Sequence, residues 1–171
     1  MTESVLLSWH DFFGVMAQIG ATLAGLIFVG LTISLDHILG ATGYLSRAFA
    51  ALFLQFETLL LGLFGLVPNQ PVWALGVEFI VTGAAFFVGI AIFQRNFPED
   101  EKSDVLGARW VRAYRWMLTN MATLLPVASG VALWFDRSFA LYLLIPAVVA
   151  CAYLSIGYAW VFAVEIPRRR R

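Results

Sequence analysis

Between Asp11 and Asp36 lie 24 residues without a charge, FFGVMAQIGATLAGLIFVGLTISL, varied only by Gln18 and a scatter of Gly, Ala, Ser and Thr. A run of that length restricts the chain to few folds. About 20 apolar residues in a helix cross a bilayer, and inside the hydrocarbon only a helix or a closed barrel satisfies its own backbone. The composition points the same way. Of 171 residues 61% are hydrophobic and 13% charged, whereas soluble domains carry about 25% charged residues.

Gly14, Ala17, Ala21 and Gly25 recur at helical spacing and are read as the helix-packing face, because small residues let membrane helices approach closely. Gln18, Thr22, Gly25, Val29 and Thr32 form an adjoining, weakly polar side. On this reading the first helix is the hub of the bundle. The preceding stretch, MTESVLLSWHD, has no basic residue and no small-residue cleavage site, so the first span is expected to be uncleaved.

Four more apolar runs follow. The expected fold is all-α, a polytopic transmembrane helical bundle forming one domain, with spans at about residues 12–35, 47–67, 72–93, 110–135 and 139–166. Ser46 or a neighbour is expected to cap the second helix. Pro68-Asn69-Gln70-Pro71 breaks the chain after it, since proline lacks the amide a continuing helix needs. The charged loop QRNFPEDEKSD separates spans three and four, and Asp136-Arg137-Ser138 is a minimal turn between four and five. Pro126 and Pro146 fall inside the last two spans, where proline usually kinks a helix.

With five spans, ten of the 11 Lys and Arg residues fall on one side and only Arg137 on the other. The positive-inside rule then predicts the N-terminus outside and the C-terminus cytoplasmic. Trp9, Trp73 and Trp134 would mark the outer boundary, and Tyr44, Trp110 and Trp160 the inner one. Arg109, Arg112 and Arg115, every third residue, and the tail Arg168, Arg169, Arg170 and Arg171 are read as contacts to anionic lipid or to a protein partner.

Charges within spans are costly and usually functional. Counted by helical rise from the outer boundary, Gln18 and Glu78 lie roughly 9 Å deep and Glu57 roughly 15 Å deep, level with Thr22. The first three helices are thus expected to gather Gln18, Thr22, Gln55, Glu57 and Glu78 into one polar cluster. Two acids with amides suit ion or proton binding. In a homo-oligomeric ring, one acid per subunit would line a pore. The same residues also serve as simple interhelical glue. Gln55 and Glu57 are about 200° apart around a helix and do not both face one neighbour. His10-Asp11 and Asp36-His37 flank the first span as interfacial caps.

The sequence holds no serine-hydrolase elbow, zinc-protease signature or phosphate-binding glycine loop, so no enzymatic activity is expected. Neutral net charge gives no case for nucleic acid, and the single cysteine, Cys151, allows no intrachain disulfide or thiolate metal cluster. No cofactor or metal is expected.

Trp9-His10-Asp11-Phe12-Phe13, with the Ala21-to-Leu31 stretch ATLAGLIFVGL and then Ile33-Ser34-Leu35, resembles the opening of a group of small, uncharacterised bacterial multi-pass membrane proteins. Their pattern is WxDFF followed by AxLxGLxFVxLSixL, from which Thr32 departs. The likeness covers about the first 35 residues. It implies a location in the bacterial inner (cytoplasmic) membrane and carries no activity or site residue. Two functions are therefore expected: an oligomeric ion- or proton-conducting or binding protein using its intramembrane glutamates, or a non-conducting scaffold that binds a partner through its basic cytoplasmic face.

Overall fold

The computed structural model describes residues 3–33, 42–95, 106–137 and 139–160. They form five α-helices: α1 (Glu3–Ile33), α2 (Thr42–Gly65), α3 (Val72–Arg95), α4 (Leu106–Trp134) and α5 (Leu144–Trp160), the last preceded by a 3-10 turn, Ala140–Leu143. Among the described residues there is no strand. Five segments are long and apolar enough to cross a membrane: Leu6–Ile33, Ala48–Gly65, Val72–Ile92, Ala113–Trp134 and Ala140–Gly157.

The distribution of side chains is the reverse of a soluble protein's. Phe28, Val81, Val88, Val149 and Ile156 are more than half exposed, whereas Gln55, Glu57, Thr58, Thr123, Ser129 and Ser155 are buried. An outer surface of this kind suits lipid, and it far exceeds the apolar patches that water tolerates.

Two apolar clusters fill the interior, one toward each end. Phe13, Met16, Leu61, Leu75, Phe79, Leu133 and Leu141 pack near the α2–α3 and α4–α5 turns. Ile27, Ala51, Leu54, Ile90, Ala122, Cys151 and Leu154 pack toward the other end. The turns are built from residues that tolerate left-handed backbone. Asn69 (φ 55°) sits between Pro68 and Pro71, and Asp136 (φ 54°) ends α4. There Arg137 N donates to Ala132 O and Asp136 N to Leu133 O, the paired bonds of a Schellman cap.

Several sequence expectations change. Helix α1 begins at Glu3, so His10 and Asp11 lie within it rather than capping it; Leu6 and Trp9 hold these early turns against the core, Trp9 edge-on to Tyr142 at 4.9 Å. Helix α2 starts at Thr42, ahead of Ser46, and α4 at Leu106. Pro126 lies inside α4, but Pro146 falls in the first turn of α5, where a missing N–H costs nothing. Asp36-His37, the 96–105 part of the charged loop, and Arg168 to Arg171 lie outside the described residues, as do the side chains of Arg109 and Arg112.

The hub is α2, not α1. It touches α1, α3, α4 and α5, whereas α1 lies chiefly against α2 and more lightly against α5. The buried seam of α1 is Phe13, Met16, Ala17, Gly20, Ile27 and Gly30. Of the expected packing face only Ala17 belongs to it. Ala21 and Gly25 are exposed, and a methyl added at Gly14 or Gly25 would meet nothing within 4 Å. The close approaches use other glycines. A methyl on Gly20 would lie 2.6 Å from Leu59 N, and one on Gly62 2.6 Å from Ala17 N. Gly76 and Gly130 face each other in the same way between α3 and α4.

Candidate functional site

Helix α2 carries Ala48, Ala51, Gln55, Thr58 and Gly62 at alternating intervals of three and four, so one stripe of it is small or polar. Helix α5 carries Ala147, Cys151 and Ser155 at intervals of four. The two stripes meet. Gln55 Nε2 donates to Cys151 O at 3.1 Å and to Ser155 Oγ at 2.5 Å. Thr58 Oγ1 donates to Leu54 O at 3.1 Å within its own helix.

Glu57, two residues from Gln55 and on another side of α2, has no exposure at all. Neither of its carboxyl oxygens has a hydrogen-bond partner, and Gln55 Oε1 has none either. Three orphaned acceptors in one band are costly. A buried polar group without a partner carries its full desolvation cost. The placement also explains how Gln55 and Glu57, on different sides of α2, are both buried: α2 is surrounded.

The other expected members lie elsewhere. Gln18 and Thr22 are exposed on the outside of α1, because the α1 seam runs through Gly20, about 200° around the helix from Gln18. Glu78 is half-buried, and its Oε2 accepts from Gln70 Nε2 at 2.6 Å. Phe53 stacks on Phe86 at 4.4 Å and lies against Gly89. That antiparallel register puts Thr82 level with Glu57, and Glu78 roughly one to two turns nearer the α2–α3 turn. The single cluster expected from depth is therefore dispersed. Beside Glu78 and Gln70, a cleft lined by His10, Asn69, Gln70 and apolar neighbours opens at that end.

Thr58, Cys151 and Ser155 are the site residues that sequence reasoning missed. Their signal was the pair of matching small-and-polar stripes, legible only once α2 and α5 are known to touch. Gln55→Leu is expected to cost about 1 kcal/mol, the usual size of an interhelical bond in membranes, because Ser155 can turn back to its own helix. Unfolding in mixed micelles measures it.

The fold and site together define a class: an α-helical bundle with five helices fit to cross a membrane and an unpaired carboxyl at its core. No protein-family model matches the chain, and the comparisons with curated proteins and with solved structures also give no match.

Proposed function

We propose that this protein binds and releases protons in a membrane through Glu57, as part of a proton-conducting or proton-coupled activity. The observation that carries the reading is the complete burial of a carboxyl with both oxygens unpartnered. Intramembrane acids of this kind mark proton relays and ion pathways. A proton is favoured over a metal cation on chemical grounds. Hard cations take six or more oxygen ligands, water included, and among the described residues no three His, Cys, Asp or Glu converge. The cleft at His10 and the Gln70–Glu78 pair supply polar groups at the α2–α3 end of the bundle.

Burial of Glu57 inside one chain favours a site within each bundle over a ring of acids between copies. The proposed setting is a bacterial inner membrane, N-terminus outside and C-terminus cytoplasmic, with Arg109, Arg112, Arg115 and the arginine tail against anionic lipid. Exposed Trp110 and Trp116 at the start of α4 support a headgroup position there.

The test is proton flux into proteoliposomes that hold a pH-sensitive dye, driven by a pH step. Wild type is expected to conduct and Glu57→Gln to fall to the rate of empty vesicles. Equal flux from both removes Glu57 from the pathway.

A further inference from the structure

We infer that α1 carries a self-association seam through which two copies of this chain pair side by side in the membrane. Gly14, Gln18, Ala21, Gly25, Phe28 and Thr32 follow one another at intervals of four, three, four, three and four. That is the heptad spacing at which helices pair with a shallow left-handed crossing. The stripe runs about 27 Å along α1, close to the thickness of the hydrocarbon. Among the described residues nothing covers it. Gln18, Ala21, Gly25, Phe28 and Thr32 are exposed, and space beyond Gly14 and Gly25 is open.

Small residues alone would leave the occupant open; Gln18 names it. It lies 12 residues inside the apolar segment that begins at Leu6, about 18 Å from that end, and faces lipid. Its amide has no hydrogen-bond partner among the described residues. Thr32, by contrast, is satisfied by bonds from its hydroxyl to Phe28 O and Val29 O. In hydrocarbon no water meets an amide's two donors and its acceptor, so Gln18 calls for a partner at its own depth. A second copy supplies one without coincidence. All copies insert in one orientation, so their α1 helices run parallel and a two-fold axis along the membrane normal brings Gln18 to Gln18. An amide is donor and acceptor at once, and both roles are met across such an axis. Gly14, Ala21 and Gly25, one turn to either side, let the backbones come close enough. The inference stands apart from the proton reading of Glu57.

Single-molecule photobleaching of the full chain in phosphatidylcholine–phosphatidylglycerol vesicles, across a lipid dilution series, measures the pairing. Wild type is expected to dimerise. Gly25→Leu, whose Cβ meets no atom of the described residues within 4 Å, is expected to weaken association at least tenfold with unfolding unchanged. Gln18→Leu is expected to weaken it about threefold to tenfold, and Gln18→Asn to recover part of the loss. In a Cys151→Ala background, Ala21→Cys is expected to cross-link between copies on oxidation. Leu26→Cys, exposed but about 100° off the seam, is not. A monomeric wild type, a dimer indifferent to Gly25→Leu, equal cross-linking at both positions, or cross-linking of Ala21→Cys to a different protein would each overturn the inference.

Discussion

Glu57→Met is expected to make the bundle more stable by about 1–3 kcal/mol while abolishing proton transfer. The sign follows from the environment. A buried polar group without a partner costs its desolvation, and an apolar group of similar shape removes that cost. Methionine matches glutamate in length, favours helix and fills irregular space. If Glu57 were interhelical glue, the same change would break bonds and destabilise by a comparable amount. Reversible unfolding in mixed micelles therefore separates the two roles by sign. A loss of stability in Glu57→Met, even with flux abolished, would assign the acid a structural role. A stability gain coupled to lost activity is the usual mark of a residue held against folding interest for function.

Gly62→Leu is expected to have the largest effect on folding, a loss of about 3 kcal/mol or more. Gly62 on α2 faces the backbone of α1 with a methyl's position only 2.6 Å from Ala17 N and 2.8 Å from Phe13 O. Backbone does not yield as a flexible side chain does, so the helices must part. Overpacking a well-filled interior ordinarily costs about 1–3 kcal/mol; here the added volume separates two helices that meet backbone to backbone. Gly62→Ala is expected within that ordinary range, and Gly25→Leu on the opposite side of α1 within about 0.5 kcal/mol. Unfolding midpoints of the three variants check the ranking. An equal response at positions 25 and 62 would contradict the orientation of α1.

How much of this was legible in the sequence differs by dimension. The number of long apolar helices was, because hydrocarbon thickness imposes a length that apolar runs must match. Height was partly legible, since helical rise is fixed: the α1–α2 contact of Gly20 with Gln55 and Leu59 sits at the depth that counting assigned. Rotation about each helix axis was not. Gln18 and Thr22 were placed with Glu57 by depth, yet they point away from it. The α1 face that looked built for packing is open, while Gly20 and Gly62 make the contact.

The physical reason is the solvent. In water, the apolar face of a helix turns inward and the pattern announces it. In lipid, both sides of a helix as apolar as α1 would meet surroundings as apolar as leucine, so hydrophobicity carries no direction. What orients the helices is fine shape: which glycine admits a neighbour's backbone, and which hydroxyl or amide finds a partner. Those choices depend on two helices at once. The sequence by itself determined that this chain holds about five stretches long and apolar enough to cross a membrane, with an acid in the second. Only the tertiary structure decided that α2 is the centre, that Glu57 is buried there with both oxygens unpartnered, and that Gln18 looks outward.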